Sequence, residues 1–298
     1  MTQLLERLKQ ARVIDLAQTW FVGMPHWPTH PPFALAMTKE HGDYVLPGGV
    51  SAAAELITLG THVGTHIDGL GHFSCNGLLY QGKSPREVGI DLVPPIVRRG
   101  VLLDVAGERE LAEDESIDVP ELQAAQRCAI EPGDVVLVRT GWGRRWSNAR
   151  AFVNEQRQPG ITLAAAQWLS GQGVFAVGAD NVALERIPSP RMEVHVHLLV
   201  ESGIHIIECL NLEGLAQAGV YEFAFVAAPL KIVGGDWGSG AGVWAAGVRG
   251  VATVGGAWPT GERRCDVVML MLKEARPRSC GRWMRLGMRC APERGRPE

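Results

Sequence analysis

The sequence predicts an α/β fold. The chain has 298 residues, of which 46% are hydrophobic and 20% charged, so it is long and apolar enough to bury a large core. Short apolar runs alternate along it with segments that carry helix-start and helix-stop residues. This alternation is typical of α/β proteins. No internal repeat and no clear linker divides the chain.

The first elements lead towards a cluster of histidines. Residues 3–11 are predicted to form a short helix and residues 13–20 a strand that enters a loop. The segment "GMPHWPTHPPF", residues 23–33, excludes regular structure, because each proline lacks an amide donor and restrains the residue before it. A further strand, "AAAELITLG", is predicted over residues 52–60 and ends just before the cluster.

The later elements alternate between helices and strands. An N-cap aspartate followed by a proline predicts a helix over residues 118–128. Thr162 and a glycine stop predict a second helix over residues 162–173, and residues 194–203 suit a third that ends at glycine. The predicted apolar strands span residues 101–107, 132–142, 174–180, 204–212 and 222–234.

Composition excludes several classes of protein. The formal net charge of −3 offers no basic surface for nucleic acid. The six cysteines form no CxxC pair and favour reduced thiols in the cytosol. The N-terminus lacks the apolar run of a signal peptide, and no stretch approaches the roughly 20 apolar residues of a membrane span. We therefore expect a soluble cytoplasmic protein that binds neither nucleic acid nor a membrane.

The last part of the chain differs in composition. Residues 236–298 are rich in glycine, arginine and tryptophan and contain half of the cysteines. Three interpretations remain open: an irregular extension, a basic interaction tail, or a segment translated from a shifted reading frame. We therefore divide the chain into residues 1–235 and this atypical segment.

A cluster of polar residues in "THVGTHIDGLGH" carries the strongest chemical signal. It contains His62, His66, Asp68 and His72, and so holds three of the nine histidines. Imidazole nitrogens and a carboxylate are ligands for Zn²⁺ or Mn²⁺, and the intervening glycines allow the tight bend that would bring them together. The alternative, scattered polar residues on a loop, fits three interleaved histidines poorly. Cys75 is either a fourth ligand or a packed thiol.

The motif "HVGTHIDGLGH" resembles the HxGTHxDxxxH signature of the cyclase family of metal-dependent hydrolases, which includes bacterial kynurenine formamidase and isatin hydrolase. Further blocks resemble the same family, so the resemblance covers about residues 13–235. They are "DLAQTWFVGMPHWPTHPPF", "GDVVLVRTGW", "GADNVALE", "VHVHLLVESGIHIIECLNLEGLA" and "FVAAPLKIVGG". The resemblance implies a single-domain mixed β-sheet core with flanking helices, of the swivelling β/β/α type.

The resemblance also implies a site. His72 matches the catalytic histidine, and His197 is an alternative to His195 because the histidine-to-glutamate spacing differs from that of some relatives. The cofactor implied is one or two divalent ions, Zn or Mn. The metal ligands implied are His62, His66, Asp68, His195 and Glu208.

The implied activity is hydrolysis of an amide, formamide or lactam C–N bond by a metal-activated water, with a small, aryl substrate. Relatives form homodimers or homotetramers, so we expect self-association. Aromatic residues are expected to line the substrate pocket, although packing in the core is an alternative role for them. They are Trp20, His26, Trp27, Phe33 and Trp142.

Rival functions remain to be weighed. The family's "GGTGSPVRP" segment is replaced here by "GGDWGSGAGVWAAG", which leaves a catalytically impaired, ligand-binding relative as an alternative. A serine or cysteine nucleophile is disfavoured because no GxSxG motif is present. A non-haem iron enzyme is disfavoured by the additional histidine and glutamate.

Overall fold

A computed structural model of the chain describes residues 9–233. Its twelve strands are β1 Ala34–Lys39, β2 Val45–Leu46, β3 Val50–Ser51, β4 Ala54–Thr58, β5 His66–Asp68, β6 Ile96–Asp104, β7 Ser116–Ile117, β8 Val135–Arg139, β9 Gly160–Ile161, β10 Ala176–Ala179, β11 His205–Glu208 and β12 Glu222–Ala227. Its α-helices are α1 Val119–Ala125, α2 Ala149–Val153, α3 Leu163–Gly171, α4 Glu193–His195 and α5 Glu213–Gln217. Helix α4 continues as a π-helical segment, Val196–Ser202.

The main sheet has six strands in the order β12-β6-β8-β10-β11-β5. The four central strands run parallel, and the two edge strands, β12 and β5, run antiparallel to their neighbours. A mixed α/β architecture was predicted and is confirmed. The parallel strands are buried on both faces, which explains why they read in the sequence as continuous apolar runs.

The core lies on both faces of this sheet. Alternate residues of a strand point to opposite faces, so Leu102 and Leu137 join one apolar cluster while Val101 and Val136 join the other. The second cluster also contains the buried apolar residues of α1, α3 and the π-helical segment. Helices therefore cover the face of the sheet on which Val101 and Val136 lie.

The predicted N-terminal elements differ from the structure. The helix at 3–11 falls almost wholly outside the described residues. The strand predicted at 13–20 is wrong: the segment forms no strand and joins no ladder. Its hydrogen bonds go to single partners, from Gln18 N to Thr65 Oγ1 at 2.8 Å and from Asn211 N to Leu16 O at 2.9 Å.

The strand predicted over residues 52–60 forms as β4, but in a separate ribbon. It pairs antiparallel with β1, a strand that the sequence did not indicate. Every residue of β4 is exposed, and β1 is exposed except at Lys39. The segment between β4 and β5 then carries the chain from this exposed ribbon to the buried edge of the main sheet.

The other predicted helices and strands form, most of them with shortened ends, but the strand predicted from residue 101 begins at Ile96. Asp118 accepts a hydrogen bond from Val119 N at the start of α1, and the Thr162 side chain accepts one from Ala165 N at the start of α3. The third helix ends before Gly203, which has a φ of 68°. None of the helices in residues 9–233 is long and apolar enough to cross a membrane. The segment 236–298 lies outside the described residues, so the domain division stays a prediction.

Candidate metal centre

Two neighbouring strands supply three of the expected ligands. The register of β5 and β11 sets His66 opposite Glu208 and Asp68 opposite Ile206. Opposed residues of an antiparallel pair share a face, as do alternate residues of one strand. His66, Asp68 and Glu208 therefore lie together on the helix-covered face, and all three are buried.

A turn before β5 brings His62 back towards Asp68. Gly64 has a φ of 76°, and a Cβ added there would lie 2.5 Å from Trp20 Nε1. Only glycine permits both the turn and this close approach of the indole. His62 Nδ1 consequently lies 2.9 Å from Asp68 Oδ1.

The donor atoms approach each other without hydrogen-bond alignment. His66 Nε2 lies 3.4 Å from Asp68 Oδ1 and 3.3 Å from Glu208 Oε2. In the described part of the chain, His66 Nε2, both oxygens of Asp68 and Glu208 Oε1 are buried and make no hydrogen bond. Buried polar atoms without partners cost free energy. Convergent imidazole and carboxylate donors with unused lone pairs fit a divalent cation.

Asp68 belongs to two groups of donors. One contains His62, Asp68 and His72, and the other contains His66, Asp68 and Glu208, and within each group the donor atoms lie within 4.8 Å of one another. Because a carboxylate has two oxygens, Asp68 has the capacity to serve both groups. The arrangement thus offers room for one cation or for two that share Asp68.

His195 approaches the cluster from α4. Its Nε2 lies 3.3 Å from Glu208 Oε1, and its Nδ1 lies 2.6 Å from Glu185 Oε1. Glu185 also accepts a hydrogen bond from the backbone amide of His195. A carboxylate on the second nitrogen of a metal-ligating histidine fixes its tautomer and orientation. Glu185 holds His195 with Nε2 directed at the cluster in this way.

His72 stacks on His62 at the edge of the same cluster. Their ring centroids are 3.7 Å apart with an interplanar angle of 29°. The His72 amide donates to Gly69 O at 3.0 Å, which closes the turn after β5. Burial lowers the pKa of His72 to about 3. The imidazole is therefore neutral at neutral pH.

The carboxylates dominate the other titrations. Burial opposes charge on His66, but Asp68 and Glu208 raise its pKa well above the ordinary value. Burial likewise opposes charge on His195, whose pKa Glu185 and Glu208 raise to about 10. Burial also opposes charge on Asp68, yet His72 and His62 hold its pKa well below the usual value. The buried carboxylates therefore favour positive charge at the cluster.

A family model described as "Putative cyclase" matches residues 14–186, more than half of the chain. The chain belongs to the cyclase family. The match includes the histidine motif, and it confirms the family that this motif predicted.

Individual relatives match most of this chain. A kynurenine formamidase from Geobacillus thermodenitrificans is 29% identical over 223 residues, which are 75% of this chain and 92% of the relative. A crystal structure of a cyclase matches with a TM-score of 0.70 at 28% identity, over 78% of this chain and 86% of that one. Isatin hydrolase A from Ralstonia solanacearum matches with a TM-score of 0.65 at 25% identity, over 79% and 92%.

His195 and His197 lie in different surroundings. His197 Nε2 lies 2.8 Å from Ser170 Oγ, and its Nδ1 lies 2.9 Å from Glu201 Oε2. Residues two apart on a helix are separated by roughly 200° around its axis. His195 therefore faces the ligand cluster, whereas His197 faces away from it.

Two residues beside the cluster, Glu185 and His205, escaped the sequence analysis, and a third, His30, belongs to the proline-rich loop that could wall a pocket. Glu185 orients His195, as described above. His205 Nδ1 lies 2.8 Å from Asp68 O, and His30 Nδ1 lies 3.3 Å from His62 O. Glu185 follows the apolar run of β10 in the block "GADNVALE", and a buried acid there was a usable signal. His30 and His205 carry no such signal, because only the tertiary fold brings them to backbone carbonyls.

The aromatic residues expected to line the pocket separate into two groups. Trp142 is 2% exposed and donates from Nε1 to Phe152 O at 2.8 Å, and Phe33 is buried in the same apolar cluster. Trp20, His26 and Trp27 are half-buried. The rings of Trp20 and Phe33 are 6.0 Å apart. The structure thus places Trp142 and Phe33 in the core beneath the loop and leaves the other three partly accessible.

Proposed function

We propose that this protein is a metal-dependent hydrolase that cleaves the C–N bond of a small amide, formamide or lactam. The observation that carries the proposal is the convergence of buried, unaligned donor atoms from His66, Asp68 and Glu208. The relatives that match most of the chain include a kynurenine formamidase and an isatin hydrolase. These enzyme names also disfavour the alternative of an impaired, ligand-binding relative.

The ligands of the proposed site come from two strands, one turn and one helix. His66, Asp68, Glu208 and His195 would hold one cation, and His62 would join Asp68 around a second if two are bound. Two imidazoles and a carboxylate suit Zn²⁺ or Mn²⁺. Such a cation, when bound, activates water and polarises a carbonyl group.

His72 would carry the proton during hydrolysis. A neutral imidazole has one ring nitrogen with a free lone pair, which would accept a proton from the attacking water. It then returns that proton to the leaving nitrogen, which otherwise departs as a poor anionic leaving group. Stacking against His62 holds the ring beside the reaction centre. The residue acts as base and acid in turn and ends the cycle neutral.

The loop of residues 23–33 would contact the substrate. His30 ties this loop to His62, and the partly accessible rings of Trp20, His26 and Trp27 belong to the same region. Flat aromatic rings favour an aryl substrate, because offset and edge-to-face ring contacts are stabilising. An aryl formamide or an aryl lactam combines such a ring with the scissile bond.

The test combines metal analysis with a substrate panel. Purified protein is analysed for Zn and Mn and assayed with N-formylkynurenine, isatin and an aliphatic formamide. The expected result is about one or two ions per chain and hydrolysis of an aryl substrate that stops on chelation and resumes when metal returns. Absence of bound metal after reconstitution, or hydrolysis that chelation leaves unchanged, would contradict the proposal.

The ribbon of β1 and β4 supports the proposal that two copies of the chain associate. Leu35, Met37 and Ile57 share one face of it and are 45%, 47% and 44% exposed. A two-stranded ribbon is marginally stable by itself, so a second copy of the chain would stabilise it by covering this face.

Light scattering should show a dimer or larger species for the wild type and a smaller one for Leu35→Lys/Ile57→Lys. A monomeric wild type, or an unchanged mass for the double variant, would contradict the proposal. Ala36→Lys on the opposite face is the matched control.

A further inference from the structure

A second group of reactive side chains lies apart from the metal centre. Ser170 Oγ is 2.8 Å from His197 Nε2, and His197 Nδ1 is 2.9 Å from Glu201 Oε2. A hydroxyl, an imidazole and a carboxylate are thereby connected in the order nucleophile, base and acid. The connection uses both ring nitrogens, as base-assisted nucleophiles require.

The carboxylate selects the useful tautomer of His197. An ionised Glu201 only accepts hydrogen bonds, so the proton of a neutral His197 resides on Nδ1. Nε2 is then left to accept a hydrogen bond from the Ser170 hydroxyl at 2.8 Å, which is closer than the Ser202 hydroxyl at 3.4 Å. Gln167 O, 3.0 Å from Ser170 Oγ, is the competing acceptor when His197 is protonated. Ser170 is therefore paired with a free base when His197 is neutral.

Ser170 and His197 line a cavity of about 620 Å³ between two packed elements. Ser170 lies near the end of α3, and His197 and Glu201 lie one turn apart on the π-helical segment. The cavity volume lies within the range of small-molecule sites. Its other lining residues include Arg98, Phe175, Ser202 and Ile204.

Arg98 supplies a cation to this cavity. Its guanidinium group stacks 3.9 Å from the centre of the Phe175 ring and donates one hydrogen bond to Gly133 O at 3.2 Å. Within residues 9–233, no carboxylate forms an ion pair with it. An arginine has five N–H donors, so several remain to bind an anionic oxygen of a ligand.

We propose that Ser170, His197 and Glu201 form a second, metal-independent hydrolytic site for small esters. The apolar part of the ester would pack against Phe175 and Ile204. Arg98 would stabilise the negative charge that develops on the carbonyl oxygen during attack. The opposite orientations of His195 and His197 keep this chemistry separate from the metal centre.

The reaction proceeds through an acyl-serine. Ser170 Oγ attacks the ester carbonyl carbon while its proton passes to His197 Nε2, and the C–O bond then breaks as the alcohol leaves with that proton. Water attacks the acyl carbon, transfers one proton to His197 and releases the carboxylic acid. The proton returns from His197 to Ser170 Oγ, so no external reagent other than water is consumed.

The proposal is tested with 4-nitrophenyl acetate and with diisopropyl fluorophosphate. The metal-containing wild type should hydrolyse the ester above the buffer rate and should carry a phosphoryl label on Ser170 in peptide mass spectra. Ser170→Ala and His197→Ala should lower the ester rate about 10²-fold or more, and Glu201→Gln by a smaller factor. Ser74→Ala and His41→Ala, at exposed positions outside the cavity, control for surface hydroxyls and imidazoles.

Two further outcomes separate this site from the metal centre. Ser170→Ala should leave metal content and amide or lactam hydrolysis unchanged, and chelation should leave the ester rate unchanged. An ester rate that survives Ser170→Ala, a label confined to other residues, or ester hydrolysis that disappears on chelation would overturn the proposal. None of these readouts depends on which amide the metal centre cleaves.

Discussion

The Glu185 carboxylate lies 2.6 Å from His195 Nδ1, on the side of the imidazole ring opposite the candidate ligand cluster. Both side chains are 3% exposed, so the pair is shielded from water and from screening by salt. The contact leaves His195 Nε2 directed at Glu208 Oε1. The orientation of one proposed ligand therefore depends on a residue that is outside the cluster.

Glu185→Gln should weaken metal binding without removing a ligand. An amide oxygen accepts a weaker hydrogen bond than a carboxylate, so His195 becomes a poorer and less fixed ligand, with a loss of about 10–100-fold in metal affinity or activity. Competition with a chromogenic chelator measures the affinity. The control is Glu193→Gln, which changes an exposed acid on α4, the helix that carries His195. Equal metal affinities for the wild type and Glu185→Gln would show that Glu185 does not position His195 for metal binding.

His66→Ala and His72→Ala should separate binding from catalysis. His66 contributes a donor between Asp68 and Glu208, so its loss should empty the site. His72 would act on protons, so His72→Ala should keep most of the metal and lose about 10²–10⁴-fold in rate. Elemental analysis and kcat measure the two effects. Full activity in His72→Ala would refute its assigned role.

Gly64→Ala should destabilise the chain more than Gly77→Ala does. Both glycines have a φ near 77°, but an added Cβ contacts Trp20 at position 64 and meets nothing within 4 Å at position 77. Both substitutions place alanine at the same positive φ, so the difference between their unfolding free energies measures the crowding of the new Cβ against Trp20. Such crowding costs about 1–3 kcal/mol. Urea unfolding measures both free energies. Equal losses would mean that the contact with Trp20 relaxes without cost.

Metal binding should strengthen as the pH rises from 6 to 8. The raised pKa values of His66 and His195, the latter about 10, mean that both imidazoles carry protons in the metal-free protein over this range. A ligand must lose its proton to bind a cation, so metal and protons compete, and apparent affinity rises by about tenfold per pH unit for each proton displaced. The heat of Zn²⁺ binding, measured in buffers of different ionisation enthalpy, gives the number of protons released per cation bound. Affinity independent of pH would contradict the coupling.

Trp142→Ala and Trp27→Ala should affect different properties. Trp142 is buried and hydrogen-bonded, so its truncation should lower the free energy of unfolding by about 3–5 kcal/mol. Trp27 is half-buried in the loop over the site, so Trp27→Ala should raise KM and change stability little. Denaturant unfolding and steady-state kinetics distinguish the two. A stable Trp142→Ala with raised KM would place that ring in the pocket instead.

Much of the site was visible in the motif because its members are close in sequence. His62, His66 and Asp68 occupy seven residues, and the turn at Gly64 suffices to gather them. The aromatic residues were harder to place, because a tryptophan serves a core and a pocket equally well. Trp142 lies in the core because its indole nitrogen finds Phe152 O, a partner that no pattern near position 142 indicates.

Sequence alone determined the elements whose signals are local. Caps at Asp118 and Thr162 and the apolar runs of the central strands fixed the α/β class, because propensity and burial act within each segment. Only the tertiary structure decided which edge of the sheet receives β5 and which histidine of α4 faces it. Strand register decides the first outcome, because β5 pairs with β11 more than a hundred positions away. Helix rotation decides the second, and Glu185 and Ser170, which lie outside the helix, hold its two histidines.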